Sequence, residues 1–376
     1  MTGFATNEEL GSTAQMNIGM HALVSSRRPP LPSQSKTEGI QSIQILRGAA
    51  ALMVVLFHIA TLIGGYGPGW FLRYAHVGQA GVDVFFIISG FIMAHVTYSK
   101  PQAPHRFLLN RVVRIVPLYW FATTLYVVGA SAGFGLFGRV PLEPGFLLKS
   151  YLFIPIVGNG AGILPPVILQ GWTLNYEMFF YVLFALALLL WPRRPHVTVV
   201  LLLTTAFLTA QVLPLPAVAG YYANPIIFEF AFGVLLASFF RAVPRLPGAA
   251  AVVMVLAGIA LLLVSNSDPL SNRLLNWGLP SVLIVTGMLY FPRLEGADFN
   301  RPLIVIGNIS YSIYLMHFIV VAALPKFFIL IGMESNSLPK AYAFIALGLL
   351  GSIGIGMITH HAIEKPATRF FRKRSN

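Results

Sequence analysis

Residues 45 to 63 read ILRGAAALMVVLFHIATLI, and the fold turns on this stretch. As a helix it rises about 28 Å, close to the roughly 30 Å of a bilayer's hydrocarbon core. Its only ionisable residues are Arg47, near the start, and His58. Working outward, similar segments recur almost to the end of the chain. Ten are predicted to span: 43–64, 81–98, 114–132, 172–191, 196–213, 225–240, 248–265, 276–291, 303–324 and 341–362. The composition agrees: of 376 residues, 56% are hydrophobic and 10% charged, and the mean hydropathy is +0.75. A soluble domain carries roughly 25% charged residues, so this chain cannot wet the surface of a globule its size. Disorder is excluded too, because it needs few apolar residues and many charges. The expected fold is all-α, a polytopic transmembrane helix bundle of about ten spans. One membrane domain is expected over 41–366. Before it lies a polar tail, 1–40, expected to be disordered and lacking a signal-peptide core. A basic tail, 367–376, follows it. The Gly- and Pro-rich stretch 133–171 is the longest loop and is expected to hold a re-entrant piece.

The net charge of +13 comes from 25 Lys and Arg against 12 Asp and Glu. No run alternates basic and aromatic residues as a nucleic-acid strand requires, so nucleic acid is not an expected partner. The basic residues instead report orientation. With the N-terminus in the cytoplasm and ten spans, 19 of the 25 fall inside and 6 outside. That asymmetry puts both termini in the cytoplasm. The absence of cysteine excludes disulfides, thiol catalysis, Cys-ligated zinc and iron–sulfur clusters. His360 and His361 point about 100° apart on a helix, so no metal site is expected.

Ionisable groups inside apolar spans are costly and mark function. Arg47 and His58 lie eleven residues apart, which is about three whole turns and about 16 Å of rise, so they share a face. Gly48, Ala49, Ala50 and Ala51 between them let another helix, or a thin ligand, come close to the backbone. The second span opens with GVDVFFIISGF, placing Asp83 near the outer end and Ser89 midway. Asp83 is equally readable as a carboxylate favoured at a helix N-terminus. In GWTLNYEMFFY, Thr173, Glu177 and Tyr181 are spaced i, i+4, i+8 on one face. Glu177 has the depth of His58, and Glu229 lies near the outer end of the sixth span, where structural bonding is the stronger reading. In GNISYSIYLMHF, Ser310, Tyr314 and His317 form a stripe that either lines a cavity or bonds helices together. His58, Asp83, Glu177 and His317 are therefore expected to meet in the outer half of the bundle. LNRVVRIVP places Arg111 and Arg114 on one face at the inner surface, with Arg47 and Arg106. Arginine's planar fork suits phosphate, although four arginines at the inner face also satisfy the charge asymmetry alone. A phosphorylated donor below and an imidazole above would serve transfer to an external acceptor.

These residues resemble the acyltransferase-3 family of integral membrane O-acyltransferases. The matching stretches are ILRGAAALMVVLFHIA, GVDVFFIISGF, LNRVVRIVPLYW, WTLNYEMFFY, FEFAFGVLLA, IGNISYSIYLMH and IEKPATRFFR, spread from about residue 41 to 372. The nearest branch is the one that acetylates bacterial exopolysaccharide. The resemblance implies acetyl-CoA as cytoplasmic donor substrate, with no cofactor bound permanently. It implies a saccharide or lipid-linked saccharide hydroxyl as acceptor and a bacterial inner membrane as location. It casts Arg47 and His58 as an essential pair and marks Arg111, Arg114 and Glu177 as important. Where the family often has serine two residues before this glutamate, Asn175 stands here. Some relatives append a hydrolase-like domain; ten residues follow Pro366 here, so transfer is expected to finish within the membrane domain. On this reading coenzyme A phosphates rest on Arg47, Arg111 and Arg114. His58 is the general base or transiently carries the acyl group, and Glu177 or Asp83 orients its ring. Ser310, Tyr314, His317 and Tyr181 line the substrate path. Two rivals remain. A transporter or flippase also places His and Glu in a bundle, but no matched pair of broken helices marks one here. A membrane scaffold would leave four ionisable groups at one depth unexplained.

Overall fold

The computed structural model describes residues 34–133, 140–158, 162–265, 272–291, 300–333 and 335–375, with backbone alone for 34–40, 300 and 372–375. Most of the expected 1–40 tail lies outside the described residues. By its contacts the chain divides at residue 40, and 41–376 form the body described here. Its elements in order are α1 (Gln34–Ile63), α2 (Gly69–Tyr74), α3 (Ala80–Ser99), α4 (Pro104–Ser131) and α5 (Pro144–Tyr151). Next come strands β1 (Ile156–Val157) and β2 (Ile163–Leu164), then α6 (Gly171–Leu190), α7 (Pro195–Val212), α8 (Ala217–Tyr222) and α9 (Ile227–Ala242). The remainder is α10 (Gly248–Val264), α11 (Leu279–Leu289), α12 (Asn300–Asn308), α13 (Ser310–Leu330), α14 (Leu338–Thr359) and α15 (Lys365–Ser375). Wide π turns at Leu274–Gly278 and His360–Glu364 lead into α11 and α15.

The architecture is an all-α polytopic bundle, and each predicted apolar segment contains a helix. Among the described residues, seven helices are long and apolar enough to cross a membrane. The segments Gly248–Val264 and Leu274–Leu289 are apolar but shorter, and α9 has 16 residues. Two boundaries differ from expectation. The third segment starts at Pro104, not 114, because proline at the first helical position costs no hydrogen bond. Arg111 and Arg114 therefore sit inside α4 rather than at its mouth. The ninth segment is two helices, interrupted at Ile309 after the weak helix formers Gly307 and Asn308. In the long loop, α5 and an antiparallel two-residue ladder pairing Ile156 with Leu164 stand where a re-entrant piece was expected. The basic tail is helical through Ser375, as α15.

Close helix contacts use small residues, as packing among apolar neighbours demands. α3 packs most extensively on α9. A Cβ at Gly90 would run into the Phe230 carbonyl, and one at Gly233 into the Ile87 carbonyl. Aromatic stacking extends this contact: Phe86 lies 4.4 Å from Phe230, which lies 4.6 Å from Phe180 of α6. Outside the bundle, Tyr221 and Tyr222 of α8 tie down the loops by donating to the carbonyls of Trp172 and Phe153. Burial pushes the Tyr222 hydroxyl up to about 12, and that of Tyr221 up as well, so both stay protonated donors.

Candidate active site

α1, α3, α4, α6 and α13 enclose a cavity of about 1100 Å³, its mouth included. Arg47, Arg111 and Arg114 all line it, together with Gln44 and Glu177. Three cations against one carboxylate make it a positive enclosure suited to an anion. Arg47 Nη1 donates to Gln44 Oε1 at 3.1 Å. Arg114, Glu177 and Glu364 lie within electrostatic reach of Arg47. Glu177 Oε1 accepts from Tyr181 Oη at 2.5 Å and from Ser89 Oγ at 3.1 Å. Spacing along α6 puts Tyr181 one turn beyond Glu177, so this bond follows from the i, i+4 rule. At the far end of the cavity are Thr173, Phe85 and Tyr314. Tyr314 Oη bonds Thr173 Oγ1 at 2.8 Å and the Gln170 carbonyl at 3.4 Å.

Beyond Tyr314 lies a histidine pair. The rings of Tyr314 and His317 are 6.3 Å apart, and those of His58 and His317 are 5.0 Å apart. His317 is wholly buried. Its Nδ1 faces the carbonyls of Tyr314, at 2.8 Å, and Ile313, at 3.1 Å. Two acceptors there mean that Nδ1 carries the proton and Nε2 a lone pair. That lone pair faces His58 Nδ1 at 3.3 Å, and the Val54 carbonyl faces the same nitrogen at 2.9 Å. His58 Nδ1 therefore also carries a proton. Its Nε2 is left with a lone pair and has no hydrogen-bond partner among the described residues. The two contacts lock the tautomer in which Nε2 is a base. The rings of Phe57 and Phe318 stand at 70° and 87° to the His58 ring, with centroids 5.1 and 5.7 Å away.

A family model for an acyltransferase domain matches residues 40–357. The chain belongs to this acyltransferase family. It is 36% identical over 328 residues to the exopolysaccharide production protein ExoZ of Rhizobium meliloti, covering 85% of this chain and 96% of that protein. It is 30% identical to the putative membrane-bound transacylase BcsY of Komagataeibacter xylinus, covering 77% of this chain and 75% of that one. The peptidoglycan O-acetyltransferase OatA of Listeria monocytogenes is 24% identical, over 74% of this chain and 49% of its own length.

Not every expected neighbour in the acyltransferase is a neighbour. His58 meets His317, but neither Glu177 nor Asp83 bonds to it, so orientation of the ring falls to His317 and the Val54 carbonyl. Asp83 is fully buried and held by Arg273, with Nη2 to Oδ2 at 2.6 Å and Nε to Oδ1 at 3.2 Å. Glu229, also fully buried, lies within electrostatic reach of Asp83. These two carboxylates form a separate cluster with Arg273, Trp277 and Trp172. Glu177 belongs to the arginine cavity, and its depth, equal to that of His58, does not make the two neighbours. Tyr181 and Tyr314 line that cavity; Ser310 is buried without lining it. Asn175 does not line it either.

The small residues after Arg47 do not form a passage. A Cβ at Gly48 would lie 3.0 Å from the Gly307 backbone nitrogen, and one at Gly81 would run into the Ala50 carbonyl. α12 and α3 cover this flank of α1, so the open route from the arginines runs past Ser89 and Glu177 to Tyr314. Two participants escaped the sequence reading. Tyr311 lines the cavity and donates to the Ile115 carbonyl at 2.8 Å. Glu364 Oε2 accepts from Ser312 at 2.7 Å and faces His360 Nδ1 at 2.9 Å. Tyr311 lies one residue from Ser310 in the quoted stripe, and Glu364 sits in IEKP.

Proposed function

We propose that this acyltransferase moves an acetyl group from cytoplasmic acetyl-CoA to a hydroxyl of an exported or lipid-linked saccharide, in a bacterial inner membrane. The chain crosses that membrane ten times with both termini in the cytoplasm, which the distribution of 19 inner against 6 outer basic residues supports. The saccharide acceptor is supported by the likeness to ExoZ and to OatA, whose names carry exopolysaccharide and peptidoglycan.

Donor phosphates rest on Arg47, Arg111 and Arg114, and Glu177 with Tyr181 and Ser89 holds the cavity wall beside them. The thioester arm runs toward Tyr314, whose buried ring stands between the cavity and the histidines, so this reading requires that side chain to move. His58 Nε2 takes the proton of the acceptor hydroxyl as its oxygen attacks the thioester carbonyl. The tetrahedral species collapses, the carbon–sulfur bond breaks, and the imidazolium returns the proton to the thiolate. His317 and the Val54 carbonyl accept from Nδ1–H throughout and strengthen as the ring becomes cationic. The observation that carries this reading is the locked tautomer, a base at Nε2 beyond an arginine-lined cavity. The test supplies purified protein in nanodiscs with labelled acetyl-CoA and glycan. Wild type transfers label and His58→Ala does not; a His58→Ala variant transferring at the normal rate refutes the assignment.

A further inference from the structure

Two carboxylates meet where α3, α9 and the π turn before α11 pack together. Asp83 on α3 and Glu229 on α9 are both fully buried. One guanidinium stands beside them, and Arg273 bonds Asp83 through both Nε and Nη2. Glu229 Oε1 and Oε2 have no hydrogen-bond partner among the described residues, yet Glu229 lies within hydrogen-bond reach of Asp83. Such a contact between two carboxylates is repulsive unless a proton lies in it. The start of α9 does not supply the missing donors. The amides of Ile227, Phe228 and Glu229 already donate to the carbonyls of Asn224, Pro225 and Ile226. The dipole of α9 favours an anion only weakly against the cost of burying one without a donor. Trp277 Nε1 and Ser281 Oγ are buried and also lack partners, so neither bonds Glu229. The other elements packed on α9 bring no further counter-charge. Tyr176 of α6 donates its hydroxyl to the Tyr221 carbonyl at 2.7 Å. His95 and His196 sit at the far end of α3, against Phe240 and Tyr98. The sequence of α11 has no ionisable residue.

We propose that Asp83 and Glu229 hold one proton between them at neutral pH, Glu229 being a carboxylic acid that donates to the Asp83 carboxylate. The site's ligand is that proton. With Arg273 the three groups then sum to zero charge, the arrangement an apolar bundle holds at least cost. Arg273 is 19% exposed and gives the site its access to water. When the proton leaves, two anions compete for one guanidinium at the joint between α3 and α9. α3 also carries Val82, Phe85 and Ser89 of the arginine cavity's wall, so this proton steadies that wall.

The experiment uses the full chain, as wild type and Glu229→Gln, in an alkyl maltoside detergent that has no carbonyl of its own. Infrared spectra are read near pH 7. Wild type should show the carbonyl band of a protonated carboxylic acid, and Glu229→Gln, whose amide can still donate to Asp83, should lack it. No such band in wild type, or the same band in the variant, overturns the proposal. If Glu229→Gln does not fold, wild type grown on carbon-13 glutamate decides the matter: the band must shift, and one that stays in place overturns the assignment. Thermal midpoints from about pH 5 to 9 give a second reading. Unfolding releases the wild-type proton, and higher pH favours release, so wild type should lose more stability than Glu229→Gln across that range. Equal losses overturn the proposal. Failure here leaves the His58 assignment standing, because that is read by transfer of label.

Discussion

Replacing His317 by phenylalanine removes the acceptor facing His58 Nδ1 and leaves the Val54 carbonyl in place. The ring keeps its tautomer but loses one of two partners for the proton that stays on Nδ1. A hydrogen bond to a charged group contributes roughly 1.5–3 kcal/mol. Most of that is gained only once the imidazolium forms, so it falls on the transition state. The expected loss in kcat is about 10- to 100-fold, at roughly 1.4 kcal/mol per factor of ten. This is smaller than the 100- to 10,000-fold or so expected when the base itself is removed. The donor KM stays within about twofold, because the arginines lie in a different enclosure. His317→Gln, which offers an amide oxygen at similar reach, recovers part of the loss. The assay is initial-rate transfer of labelled acetyl groups in nanodiscs over a range of donor concentrations. A phenylalanine variant with full kcat, or with a raised KM and normal kcat, would refute this role for His317.

Arg273→Ala leaves Asp83 buried without its cation, and the melting curve in detergent should show a loss of roughly 3–5 kcal/mol; a loss under about 1 kcal/mol would show that the cluster is not a structural ion pair. Gly233→Ala pushes a methyl group into the Ile87 carbonyl and should destabilise by about 1–3 kcal/mol by thermal unfolding, whereas Gly220→Ala, which meets no neighbour, should not. Tyr181→Phe removes the hydroxyl shared by Glu177 and Ser89 and should weaken donor binding by about tenfold, read as KM, while leaving the fold intact. Tyr222 ionises near 12 when folded and near 10 when unfolded, so its contribution is full below pH 10 and is lost as pH rises toward 12. Tyr222→Phe should therefore flatten the fall in stability across that window, as followed by denaturant midpoints; an unchanged slope would count against its burial.

Apolar runs made the helices legible, because span length is a property of consecutive residues. The arginine cavity was legible in part: Arg111 and Arg114 share a face of α4 by spacing alone, and Arg47 enters at the same end of its own helix. Depth also paired His58 with His317. It failed for Glu177 and Asp83, because depth along a helix does not say which way a residue faces around it. Glu177 faces α3 and the arginines. The Asp83–Arg273 pair joins residues 190 apart in the chain, and nothing local announces it. The small residues after Arg47 permit close approach, but such a surface does not tell helix from ligand, and at Gly48 and Ala50 neighbouring helices take it.

The helices α9, α10 and the Leu274–Leu289 segment have a consequence for the surrounding lipid. Sixteen or seventeen residues rise only about 24–26 Å, several ångströms short of a typical hydrocarbon core. For these helices to cross, acyl chains along that flank must shorten or splay, drawing the two leaflets together. Hydrophobic mismatch then makes turnover depend on lipid chain length: discs of longer-chain lipids should slow the enzyme, and thinner ones should restore it.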